Sequence, residues 1–264
     1  MPSIATNVAA NSSLFYLNRN ADNQANSLAK ISSGSRIVRA SDDAAGAAIA
    51  AGLQSDITSL QTAAQTVQQL DALLQIADGG LQRVSEILQR EKSLATQFES
   101  GTLSATEEGF IDQELVALAA EIALIAASTS FNGDSLLDGG FNQTAIIGAD
   151  AGNTIAINLT TIDVSGGAVG EVTGNATAAA IDTDINTVSG YRATVGALQS
   201  AVGFQGEVVA SQIENLQAAK SAISDVDIAA EQTAFTNYQV LTEAAIAGLS
   251  QANQLTQSLL SLLR

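Results

Sequence analysis

The only proline in this 264-residue chain is Pro2. From residue 3 onward, then, no pyrrolidine ring breaks the helical hydrogen-bond pattern, and long uninterrupted helices are open to the chain. The hydrophobic spacing uses that freedom. From Ile4 to Ile31 apolar residues recur every three or four positions through Val8, Leu14, Leu17, Ala21, Ala25 and Leu28, marking one face of an amphipathic helix. Ser32-Ser33-Gly34-Ser35 interrupts it, and Ser41-Asp42-Asp43 supplies groups suited to capping the next helix. A long stripe then runs through Leu60, Ala64, Val67, Leu70, Leu74, Ala77, Leu81, Val84 and Leu88, close to a heptad seam.

Gly101 closes that segment, and Ser104-Ala105-Thr106-Glu107 has the form of a capping box, with Glu107 placed to reach the Ser104 amide. The helix it opens carries Ile111, Leu115, Leu118, Ile122 and Ile125 and ends before Phe131-Asn132-Gly133. Residues 133 to 177 are rich in Gly, Asn, Thr and Asp. There the alternation Ile155, Ile157, Leu159 reads as a strand, and Gly148 to Asn153 reads as the turn of a hairpin after Ile146-Ile147. Helical spacing resumes at Ile181 and continues through Ile185, Val188, Val195, Leu198, Val202, Val209, Leu216 and Ile223.

The last segment is the most regular. Ala234, Tyr238, Leu241, Ala245, Gly248, Ala252, Leu255, Leu259 and Leu262 alternate steps of four and three, and a second stripe, Ile246, Leu249, Thr256, Leu260 and Leu263, lies beside them. One partner helix cannot cover both stripes. Heptad stripes are more often internal core than contacts between chains, and the doubled stripe shifts that balance. No residue between Glu243 and Arg264 is charged, yet eight Ser, Thr, Asn and Gln residues from Ser250 to Ser261 interrupt the apolar run. Desolvating them in lipid at about 1 kcal/mol or more each argues against a membrane span.

Composition closes other routes. The absence of Cys and His removes thiolate and imidazole chemistry, the acidic residues lack metal-ligand spacing, and no catalytic, cofactor or metal site is predicted. A net charge of -17, from 10 basic and 27 acidic residues, disfavours phosphate backbones and anionic lipid. That charge is uneven. Residues 1 to 40 carry Arg19, Lys30, Arg36 and Arg39 against Asp22, whereas residues 225 to 264 carry Asp225, Asp227, Glu231 and Glu243 against Arg264, so the ends attract. The fold class expected is mainly α: long antiparallel helices forming a terminal coiled coil, plus a helical bundle with a β-hairpin. About 30 helical residues make a rod of roughly 45 Å. Its exposed apolar face marks an interface, and unlike surfaces that meet without closing give an open filament.

The stretch Ser32-Ser33-Gly34-Ser35-Arg36-Ile37-Val38-Arg39-Ala40-Ser41-Asp42-Asp43-Ala44-Ala45-Gly46 closely resembles the signature after the first helix of bacterial flagellins. Gln251-Ala252-Asn253-Gln254 and the final Leu259-Leu260-Ser261-Leu262-Leu263-Arg264 resemble the flagellin C-terminus. Ser128 to Gly133 and Ser221 to Asp227 are similar to the family's helix-to-hairpin junction and C-terminal linker. The resemblance implies a terminal coiled-coil domain of residues 1–32 and 230–264, a spoke of 33–45, a helical bundle of 46–132 and 178–229, and a hairpin with a short surface insert at 133–177. Such a chain has no large outer domain.

The resemblance further implies a subunit exported unfolded, without a cleaved signal peptide, that polymerises outside the cell into the flagellar filament for motility. Its partners are itself, an export chaperone, and cap and hook-junction proteins. Expected self-assembly positions are Leu14, Leu28, Ile31, Leu241, Ala245, Ala252, Leu255, Leu259 and Leu262. Arg36, Arg39, Asp42 and Asp43, which spacing alone would make a solvated cap, become spoke contacts. In many flagellins an innate immune receptor of animals reads a patch whose positions match Leu88-Gln89-Arg90, Leu94 and Glu114 here. Glu91, Lys92 and Ser93 depart from that patch's apolar, basic and acidic order, implying weaker recognition.

Asn158-Leu159-Thr160 and Asn175-Ala176-Thr177 fit a short glycosylation pattern, and flagellins often carry O-linked sugars on Ser and Thr in this region. Two other classes compete with the filament subunit. A soluble helical adaptor or export chaperone would bind a partner helix and stay small at any concentration. A carboxylate enzyme would need a pocket with a raised-pKa acid.

Overall fold

The computed structural model of the chain describes residues 7–150, 152–160, 162–164 and 177–262, with the side chains of residues 256 and 259–262 left aside. Among these residues five helices and two small antiparallel strand pairs follow in the order α1 (Val8–Ser33), α2 (Ala44–Glu99), α3 (Ala105–Ser128), β1 (Ser130–Phe131), β2 (Asp134–Ser135), β3 (Asn142–Ile146), β4 (Thr154–Asn158), α4 (Ala178–Ser224) and α5 (Ile228–Leu262). The fold is mainly α, as the sequence predicts. Contacts divide the chain into a terminal unit, up to Ser55 and from Leu216 on, and a central unit, Asp56–Asn215. The boundaries between these units fall within α2 and α4.

In the central unit the stripe on α2 is inward. Leu60, Ala63, Val67, Leu70, Leu74, Ala77, Leu81, Val84 and Leu88 are buried, with Ala63 rather than Ala64 keeping the step of three. Opposite them α4 buries one residue in seven, Ile181, Val188, Val195, Val202 and Val209. The helices approach closely, since a Cβ on Gly206 would lie 3.2 Å from Val67 Cγ1. Arg192 donates to Asp78 at 2.8 Å across the same interface, and that hydrogen bond holds the guanidinium pKa above its usual value.

Helix α3 starts as the sequence predicts. The Glu107 carboxylate accepts from the Ser104 backbone amide at 2.8 Å and from its hydroxyl at 2.7 Å, and these bonds keep the carboxyl below its ordinary pKa. At the other end of the gap, Glu99 accepts from the Ala178 amide at 3.0 Å, satisfying a first-turn donor of α4.

The expected hairpin forms between β3 and β4, with Gln143 opposite Ile157 and Ala145 opposite Ile155. A tighter turn precedes it, where Asn132 (φ +55°) and Gly133 (φ +94°) join β1 to β2, the left-handed pair that a two-residue hairpin needs. The segment after Phe131 is not a surface insert over its described length. Leu136, Leu137, Phe141, Ile147, Ile157, Leu159, Ile162 and Val164 are buried in the same core as α2 and α4. Each such burial contributes about 1.5–3 kcal/mol before chain entropy is subtracted. The polar composition between these apolar residues hid their inward direction, because single Leu and Ile positions carry the contact without a periodic stripe. The sequence Asn175-Ala176-Thr177 lies largely outside the described residues.

Candidate self-assembly surface

The terminal unit pairs α1 with α5 in antiparallel fashion. Asn7 begins α1: its side-chain oxygen accepts from the Ala10 amide at 3.0 Å, while its side-chain nitrogen donates to the Ala252 carbonyl at 3.0 Å. Further along, Gly248 lies beside Ser13, with a Cβ position 3.6 Å from Ser13 Oγ. At the far end Gly34, at φ +69°, terminates α1 in the left-handed conformation that glycine adopts without strain. Ser35 then bridges to Asp225, and Val226 donates to the Gly34 carbonyl at 3.2 Å. Asp227 starts α5 by accepting from the Ala229 and Ala230 amides, each at 3.0 Å.

The line along which α1 loses exposure is Ala10, Ser13, Leu17, Asn20, Gln24, Ser27 and Ile31, a strict alternation of three and four. On α5 it is Glu231, Phe235, Tyr238, Thr242, Ala245, Leu249 and Ala252, equally strict. Both are heptad seams, yet most of their members are polar or small. A search for apolar periodicity alone passes over them; counting Ser, Asn, Gln and Thr as permitted seam residues recovers both. Many of the large apolar side chains stand elsewhere. Leu14 is 45% exposed and Leu28 54%, while Leu241 and Leu255 are 49% and 56% exposed. Phe15, Tyr16, Val240 and Ile246 are exposed as well.

Of the nine residues expected to carry self-assembly, the structure therefore places Ile31, Ala245 and Ala252 along the seam and Leu14, Leu28, Leu241 and Leu255 outside it. The side chains of Leu259 and Leu262 lie outside the described residues. Among the described residues no ion pair joins α1 to α5, so the opposite end charges make no direct contact there.

The spoke residues act locally. The Arg36 amide donates to the Ser224 carbonyl at 2.7 Å and its guanidinium to the Ile223 carbonyl at 2.6 Å. Asp42 accepts from the Val38 and Arg39 amides at 3.2 and 2.9 Å, and Asp43 caps α2 by accepting from the Gly46 amide at 2.9 Å. A Cβ on Gly46 would lie 2.5 Å from the Asp43 carboxylate and 2.9 Å from Ile37 Cδ1, so a side chain there would displace this cap. The Arg39 side chain is exposed.

In the central unit Arg90 and Glu114 come together, with Arg90 Nε and Nη2 donating to Glu114 Oε1 at 2.9 and 2.7 Å. Leu94 is buried against Leu115. Glu91 faces the interior and is not part of an outward patch.

Long helices from both ends of the chain, joined by polar-laced seams with many large apolar side chains left outside, define a class of helical subunit with uncovered apolar faces. Two sequence families match this chain: the bacterial flagellin N-terminal helical region over residues 4–142 and the bacterial flagellin C-terminal helical region over residues 178–263. A flagellin of Halalkalibacterium halodurans is 38% identical over 244 residues, covering 89% of this chain and 90% of the relative. A flagellar filament 33 kDa core protein of Treponema phagedenis is 36% identical, with coverage of 89% and 90%. The crystal structure of Bacillus cereus flagellin matches 58% of this chain and 88% of its own, at 28% identity and a TM-score of 0.43. The chain belongs to the bacterial flagellin family.

Proposed function

We propose that this chain is the structural subunit of a bacterial flagellar filament and that copies stack through the outward apolar faces of α1 and α5. The observation that carries this reading is the inverted seam: residues that would stabilise an isolated helix pair, Leu14, Phe15, Leu28, Leu241, Ile246 and Leu255, are left in water. Covering six such side chains contributes on the order of 10 kcal/mol per subunit before ordering costs. Because the α1 and α5 faces differ, repeated stacking proceeds head to tail and generates an open helix.

In this reading residues 1–32 and 230–264 form the filament's inner core and 33–45 its spoke. The same outward faces explain why an export chaperone would be needed before assembly, and cap and hook-junction proteins would meet them at the filament ends. The filament is extracellular. Among the described residues no helix is long and apolar enough to cross a membrane. The work of the chain is packing, with no reaction step.

The test is seeded polymerisation of the full chain followed by electron microscopy. Filaments are expected from the native sequence and none from Leu255→Asp or from a chain lacking residues 250–264. Helical circular dichroism of Leu255→Asp stays close to native, because the side chain is more than half exposed in its own subunit. A native chain that stays a single particle at high concentration despite seeding favours the adaptor or chaperone class instead.

A further inference from the structure

The buried positions of α2 continue past Leu81, Val84 and Leu88 to Glu91 and Ala95, in unbroken steps of three and four. Glu91 thus occupies a core position of the seam, where the pattern calls for an apolar side chain. It is completely buried, and neither carboxyl oxygen has a hydrogen-bond partner among the described residues. Among the described residues no cation compensates it. Arg90, on one side, is taken by Glu114 of α3, and Lys92, on the other, by Asp182 of α4 at 2.5 Å. The charge whose field reaches Glu91 is that of Asp184 on α4, which is of the same sign as an ionised Glu91.

A carboxylate without water, donor or counter-ion is among the least tolerable groups in a protein interior, whereas the neutral acid resembles a polar isostere of leucine. We propose that Glu91 is a protonated core residue whose ionisation unlocks the seam between α2 and α4, a pH-operated release built into the central unit. Burial, and next the Asp184 charge, push its carboxyl up to about 7 from an ordinary 4.5. No histidine is present, so no imidazole competes with it as the group that responds near neutrality.

The sign follows from linkage. The folded carboxyl holds its proton more tightly than the unfolded one, so the full stabilising contribution is present below pH 4.5, declines as pH rises toward 7, and is gone above it. Acid therefore tightens this part of the seam. Ion-paired carboxylates behave in the opposite sense, losing their contribution on acidification.

The full-length chain, kept dispersed, tests this through thermal unfolding and hydrogen exchange between pH 4.5 and 9, with E91L and E91Q beside the native sequence. E91L restores an apolar seam; E91Q keeps the shape without the charge. The native chain is expected to lose stability relative to both variants as pH rises through 5 to 7, then to run parallel to them. Over that interval the folding equilibrium shifts on the order of a hundredfold. Amide protection at 88–95 and 181–188, corrected for intrinsic rates, falls in the native chain alone. A carbon-13 signal from the Glu91 carboxyl titrating near 7 agrees with the proposal; one titrating below 5, or a pH-independent difference between native chain and variants, overturns it. Should E91L fail to fold, the native-against-E91Q comparison and the carboxyl titration still decide.

Discussion

The Ser35 hydroxyl lies 3.0 Å from the Ser224 carbonyl oxygen and 3.2 Å from the Ser224 hydroxyl, a contact across 189 positions of sequence. It fastens the exit of α1 to the last residue of α4, just before α5 begins. The Arg36 amide shares the same carbonyl at 2.7 Å, so the acceptor stays satisfied if the serine is lost. Ser35→Ala is accordingly expected to cost about 1 kcal/mol, the net value of one partly exposed hydrogen bond. Arg36→Ala combined with it should cost less than the two effects added, because both groups converge on one short segment. Chemical denaturation of the dispersed chain, run as a double-mutant cycle, checks both statements.

Adjacent glycines on α2 separate intrinsic helix preference from packing. A Cβ on Gly79 would meet nothing within 4 Å, whereas one on Gly80 would lie 2.7 Å from Thr129 Oγ1 and 2.9 Å from Leu137 Cδ1. Glycine within a helix is worse than alanine by about 1 kcal/mol. Gly79→Ala should therefore stabilise the central unit by roughly that amount. Gly80→Ala should destabilise it by about 1–3 kcal/mol, since the added methyl forces apart α2 and the junction after α3. Equal and favourable effects at both positions in thermal unfolding would contradict the close approach at Gly80.

These contrasts show which parts of the molecule its sequence discloses. The seam of α2 and the Ser104–Glu107 cap were legible because each rests on a local pattern of residue types, and each appears in the structure at the expected residues save for Ala63 in place of Ala64. The pairing line of α5 was displaced: Leu241 and Leu255, the strongest apolar markers, lie outside, and Thr242 and Leu249 lie on the line. Apolar periodicity identifies surface that must be covered but does not say whether the same chain or another copy covers it. Glu91 illustrates the converse, since a charged residue type hid a core position that the three-four rhythm of its neighbours already marked. Leu136 and Leu137 escaped for a third reason, having no periodic context at all.

Leu94 gives a way to separate packing from recognition in the patch resembling the immune-receptor site. It is 4% exposed and packs on Leu115, whereas Arg90 and Glu114 form an ion pair with both side chains about half exposed. An exposed pair of this kind contributes about 0–1 kcal/mol. Leu94→Ala should cost about 2–4 kcal/mol, through lost burial and the void left against Leu115. Arg90→Ala and Glu114→Ala should each stay within about 1 kcal/mol of native. It follows that a loss of receptor signalling in Leu94→Ala monomer has two readings, and its unfolding midpoint must be measured in parallel. Leu94→Met, which keeps the volume, should hold stability within about 1.5 kcal/mol of native. If Leu94→Ala unfolds at the native midpoint, Leu94 is free of the packing described here and its role is outward.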